Sequence, residues 1–166
     1  KGIQTREEKT TIESDIIVKT NTETGSKIIE ELNNTESESD LSLKIISDIS
    51  EKDTTKLNTL SENNKEQIEK LTETAIKNAD ASETSAQLIA KVVDKASDEI
   101  ANKVINEVTK NSVDNKEALS AKVMKSIVLI NPDKIENLND ENKDTMIQQT
   151  INAAKKQNEN KIIHIP

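Results

Sequence analysis

The chain has 166 residues, of which 32% are apolar and 33% charged, with a formal net charge of −8 and a pI of about 4.9. It contains no Cys and no Phe, Tyr or Trp, which excludes a disulfide framework, a thiolate metal site and a cysteine nucleophile. The acidic balance and the single arginine, Arg6, speak against nucleic-acid binding, which needs a basic and preferably aromatic-bearing face.

The core is left to Ile, Val, Leu, Ala and two Met. Each aromatic ring would bury about 150–250 Å², so this core is thin, and it gains from helices stacking on one another or on a partner. The longest apolar run is Ile127 to Ile130, far short of the roughly 18 residues of a membrane helix. No transmembrane segment is expected. The compartment is left open: soluble, and either cytoplasmic or exported after N-terminal processing. The chain opens with Lys1 rather than Met, which points to removal of a signal peptide, a tag or a neighbouring domain.

Two glycines and two prolines are too few turns for a β-sandwich or barrel and favour helices capped by Asn, Ser, Asp and Thr. In residues 1–24, Thr10 and Glu13 fit a capping box, while the Thr-rich stretch around Ile16, Ile17 and Val18 fits a strand equally well. Gly25 breaks the chain ahead of a short helix, Ser26–Leu32, and residues 33–40 read as a loop. Asp40 is placed to cap a helix whose Leu41, Ile45, Ile46 and Ile49 share one face. A second series, Leu57, Leu60, Ile68, Leu71, Ala75 and Ile76, is interrupted near Ser61 to Asn64.

Thr84 and Gln87 fit a capping box ahead of the most regular stretch: Leu88, Ile89, Val92, Val93, Ala96, Ile100, Val104, Ile105 and Val108. Residues 84–110 form either one long helix or two with a break near Ser97. Asp114 and Glu117 repeat the capping pattern before Ala118, Leu119, Val123, Met124, Ile127 and Val128. Asn131 is expected as an N-cap with Pro132 in the first turn. Asp140 or Asn142 then caps a last helix that turns Met146, Ile147, Ile151 and Ala154 inward.

Residues 42–77 align without gaps on residues 120–155, with ten identities in 36 positions, among them Lys56/Lys134, Leu60/Leu138, Asn64/Asn142 and Lys65/Lys143. Composition alone would give roughly four. Residues 80–118 read as a degenerate middle copy. The pairs Ile28-Ile29, Ile45-Ile46, Leu88-Ile89 and Val123-Met124 form a recurring apolar stripe, read as core between stacked helices or as a groove for a partner helix. The expected fold is all-α, either a short helical-repeat (α-solenoid-like) array or an elongated irregular helical bundle. Its expected divisions are an N-terminal segment over 1–40, partly irregular with one short helix, a helical-repeat domain over 41–158 and a tail over 159–166.

Chemistry-bearing residues are scarce. The only histidine, His164, sits two residues from the end within Ile162, Ile163, Ile165 and Pro166, where chain ends fray and a base is poorly positioned. Glu36, Glu38 and Asp40 alternate with serine but lack the glycine and glutamate spacing of a calcium loop, so they read as a solvated acidic loop. Carboxylate pairs such as Glu62 and Glu66 with Lys70 read as surface pairing. Asn64 and Asn142 are read as helix caps or, alternatively, as buried residues fixing register. No catalytic, cofactor-binding or metal-ligating residue is assigned and no cofactor is expected.

The expected function is a non-catalytic structural or protein–protein interaction module. The alternative is a self-assembling subunit of a filament or cell-surface appendage, and an enzyme is the lesser one. Its partner would be another protein or copies of itself as a homo-oligomer, with no nucleic acid. Ile162, Ile163 and Ile165 are the expected interaction residues.

Overall fold

The computed structural model describes residues 6–36, 41–110 and 116–163. The chain is all-α. Its described residues hold α1 (Arg6–Lys19), α2 (Thr22–Asn33), α3 (Ser42–Lys52), α4 (Lys56–Asn63), α5 (Lys65–Lys77), α6 (Glu83–Lys95), α7 (Asp98–Lys110), α8 (Lys116–Ile130), α9 (Asp133–Glu136) and α10 (Asp140–Ile163).

Among the described residues of the first 24, Arg6–Lys19 form a helix, not a strand. Thr10, Ser14 and Ile17 are buried on one face of α1. The Ser14 hydroxyl donates to the Thr10 carbonyl (2.7 Å) and to Asp48 Oδ2 of α3 (3.4 Å). Thr10 therefore lies inside the helix rather than at its start. Helix α2 starts at Thr22, ahead of the expected Ser26, because Asn21 Oδ1 accepts from the Thr24 N–H at 2.8 Å. Gly25 is no break: it is buried within α2. A Cβ there would stand 3.1 Å from Leu60 Cδ2 and 3.4 Å from the Ile17 carbonyl oxygen, so glycine serves close packing of α1, α2 and α4.

In α3 the expected stripe of Leu41, Ile45, Ile46 and Ile49 is buried, as are all six apolar residues of the second series. Asp40 lies outside the described residues. That second series divides at Asn64, whose side chain accepts from the Gln67 N–H and caps α5. The stretch 84–110 is two helices. Ser82, rather than Thr84, caps α6 by accepting from the Ser85 N–H (3.1 Å). The break falls at Ala96 and Ser97, where Ser97 Oγ accepts from the Ile100 N–H (3.3 Å).

Near the C-terminus, capping departs further from expectation. Asp114 lies outside the described residues. The Asn131 side chain donates to Asp94 Oδ1 at 3.2 Å instead of capping α9. Asn139, not Asp140 or Asn142, caps α10, accepting from the Asn142 N–H at 2.8 Å. Asn142 is buried, and its amide donates to both the carbonyl and the Oδ1 of Asn102, each at 3.0 Å. Asn64 and Asn142 thus share a place in the repeat but not a role: the first caps, the second ties α10 to α7.

The helices pack in two series. In the first, α1 touches α3, α3 touches α6 and α6 touches α8; in the second, α2 touches α5, α5 touches α7 and α7 touches α10. The series join through α1 with α2, α3 with α5, α6 with α7, and α8 with α10. One apolar core runs through all of them, from Ile17 to Met146.

Short and long units alternate along this packing. The pairs α1–α2 and α6–α7 are short; α3–α4–α5 and α8–α9–α10 carry an extra short helix. That extra helix braces the preceding short unit in the same way twice. Lys56 of α4 donates to the Thr20 carbonyl at 2.7 Å, just before α2. Lys134 of α9 donates to the Ala96 carbonyl at 3.2 Å, in the break before α7. The sequence repeat of 42–77 on 120–155 pairs the two long units, and residues 80–118 differ because they hold a short one.

Candidate interaction surface

Large apolar side chains left exposed among the described residues are Ile12 (42%), Ile16 (45%), Val128 (45%), Leu129 (76%), Ile130 (46%), Ile147 (37%) and Ile151 (44%). All of them stand on α1, α8 or α10, three of the four terminal helices of the two series. Helices with neighbours on both sides, such as α3 and α6, bury theirs.

The cause is helical period meeting the end of a series. On α1, Thr10, Ser14 and Ile17 turn toward α3. At about 100° per residue, Ile12 and Ile16 then fall on the opposite face. On α10, Asn142, Met146 and Gln149 are buried against the preceding helices. Gln149 accepts from the Ser120 hydroxyl of α8 and donates to the Thr109 carbonyl of α7 at 2.9 Å. Ile147 and Ile151 point away from that face. The expectation that Ile147, Ile151 and Ala154 turn inward is corrected here: each is exposed, and so is Val128 of the α8 stripe.

Two grooves accompany these faces. At the first end, Glu13 of α1 and Lys27, Ile28, Glu31 and Leu32 of α2 line a cleft. At the last end, Ala118 and Ala121 of α8 with Thr150, Ala153 and Ala154 of α10 line another, and Lys122, Lys125, Lys156 and Glu117 stand around it. The alanines keep this groove open. Lys156 and Glu117 pair at 2.8 Å, and this hydrogen bond lifts the Lys156 pKa above its ordinary value. At the first end, a hydrogen bond from Lys52 (2.8 Å) holds Asp15 below the usual carboxylate range.

Of the expected interaction residues, Ile162 and Ile163 are the last two positions of α10, while Ile165 and His164 lie outside the described residues, as do Glu38 and Asp40. The recurring stripe serves mostly as core: Ile29, Ile45, Ile46, Ile89 and Val123 are buried, and Ile28, Leu88 and Met124 partly so. Sequence reading missed the two end faces because period marks a face as apolar without saying whether a neighbour exists. The one legible signal was the run Val128, Leu129, Ile130, which at about 100° per residue spreads too widely to be buried on one face.

Among the described residues, no helix is long and apolar enough to cross a membrane, and no group of three or more His, Cys, Asp or Glu is placed to hold a metal ion. No protein-family model matches the chain, and no curated protein or solved structure matches it.

Proposed function

We propose that this chain is a non-catalytic structural or protein–protein interaction module built from helical repeats, and that it works through the ends of its helix series. The observation carrying this reading is that, among the described residues, large exposed Ile, Val and Leu are confined to α1, α8 and α10. Exposed apolar patches of this kind mark association sites. Stacked-repeat proteins ordinarily carry a polar outer face on their terminal repeats to stay soluble, whereas here each end sets exposed Ile, Val or Leu among its polar residues.

The test is affinity capture from the source organism's extract with tagged wild-type chain and with an Ile16→Asp, Ile151→Asp double variant. Both positions are exposed, so the variant keeps its fold. A stoichiometric partner, either another protein or untagged copies of the chain, is retained by wild type and lost by the variant. Equal retention by both, or no stoichiometric partner with either, rejects the reading.

A further inference from the structure

We propose that the partner at these ends is a second copy of this chain, its α1–α2 unit docking on α8–α9–α10 as α6–α7 docks on α3–α4–α5. The inference rests on the interaction-module reading above and names its partner.

The repeat registers carry it. At the last end, the alignment of 42–77 on 120–155 sets α8 on α3 and α10 on α5. Helix α3 receives α6 through Leu43 and Ile46, which share a crevice with Ile89 and Val92, and through Glu51, 3.7 Å from Lys91. Those registers in α8 are Ala121, Met124 and Leu129. In α5, Thr72, Ala75 and Ile76 line the same crevice; their registers in α10 are Thr150, Ala153 and Ala154. Four of these six, Ala121, Thr150, Ala153 and Ala154, line the open groove at the last end. Glu73 of α5, paired with Lys103 of α7 at 3.0 Å, has Ile151 at its register.

The first end supplies the matching half. Thr20 and Ala96 both accept a brace lysine, and Asn21 and Ser97 both cap the next helix. These fixed points set α1–α2 on α6–α7. Ile12 and Ile16 then stand at the registers of Leu88 and Val92, and Ile28 at that of Val104. Val92 and Val104, with Ile89, are what α6–α7 puts into the crevice on the preceding long unit. The first end thus exposes the surface with which a short unit packs backwards, and the last end exposes the surface with which a long unit receives it.

Charge follows the same registers. Lys65 and Glu99 bridge α5 and α7 at 2.7 Å. Lys143, 3.6 Å from Glu136 in the single chain, stands at the register of Lys65, and Glu23, 3.6 Å from Lys27, at that of Glu99, so docking exchanges these pairs for the same ion pair between copies. Glu13, where α6 has Ile89, faces the Lys122 and Lys125 side of the groove. Such a head-to-tail contact joins two different surfaces, so it propagates into a chain of copies rather than closing as a symmetric dimer.

Sedimentation velocity over a wide concentration series tests this with three proteins, all checked for wild-type far-ultraviolet helicity. Wild type is expected to grow from the 18.4 kDa chain to twice that mass and beyond. Ile16→Asp blocks the first end and Ile151→Asp the last, so each alone stays a monomer. Mixed one to one, they form a dimer and nothing larger, because only one open end of each remains. Lys143→Glu weakens wild-type association at least about threefold, and combining it with Glu23→Lys in the same chain restores it. A wild type that is monomeric throughout overturns the inference, as does a mixture that stays monomeric or a single-end variant that still self-associates. Failure here leaves the module reading standing if the capture experiment yields a different protein, so the two fall separately.

Discussion

Glu107 shows how a charge is held inside this aliphatic core. It is 1% exposed, and its Oε1 lies 3.2 Å from both Lys103 Nζ and Lys110 Nζ. Lys103 also reaches Glu73 of α5, so one lysine ties α7 to itself and to its neighbour. Partial burial works against the Lys103 ammonium, but hydrogen bonds to Glu73 and Glu107 outweigh it and hold its pKa above the ordinary 10.5. A raised folded-state value means this stabilisation is fully present below the unfolded value of 10.5 and is lost as pH climbs through the folded one. Glu107→Ala is expected to cost about 2 kcal/mol in urea unfolding at neutral pH, and the deficit should shrink as pH rises past the Lys103 titration. A loss below about 0.5 kcal/mol would mean the cluster is no stronger than an exposed surface pair.

Helix starts are the element-scale lesson. Asn21, Asn64, Ser82, Ser97 and Asn139 each accept from the N–H three residues on, satisfying one of the four N–H groups that a helix start leaves without an intrahelical partner. The residue types were legible, since only Asn, Ser, Asp and Thr punctuate the chain. Their exact positions were not, because several candidates stand within two or three residues of each start and the neighbouring helices choose among them. Asn131 is one example: its amide N–H donates to Asp94 Oδ1, and α9 starts without a side-chain cap. Asn139→Ala removes the α10 cap but keeps the link to α7, where the Asn139 backbone N–H donates to Asn102 Oδ1 at 2.9 Å. Thermal unfolding should show a loss of about 1 kcal/mol, whereas Asp140→Asn, one position later, should be nearly neutral. Equal effects at the two positions would refute the cap assignment.

At the scale of the molecule, stability should be graded along the series. Inner helices α3 and α6 have neighbours on both sides and bury Ile45, Ile49, Ile89 and Val93 completely. Terminal helices have a neighbour on one side only. In a stacked system each unit draws stability from its own packing and from its neighbours, so openings should start at the ends. Native-state hydrogen exchange on dilute protein is expected to rank α3 and α6 above α1 and α10 in protection. Raising the concentration should then slow exchange in α1, α8 and α10 selectively. Uniform protection in dilute protein would contradict the graded picture.

Sequence alone determined that the chain is helical, where most core residues lie, and that residues 42–77 recur at 120–155. These follow from local physics: a 3.6-residue stripe of Ile, Leu and Val can be buried only as a helix face, and the residues at each stripe carry that information themselves. Tertiary structure decided which apolar stripes find neighbours, which Asn caps and which one bridges, and why the repeat spans two units instead of one. Ile46 and Ile147 look alike in the sequence, yet one is buried and the other exposed, because burial depends on whether another helix stands opposite. That is a property of position in the stack, and no local pattern encodes it.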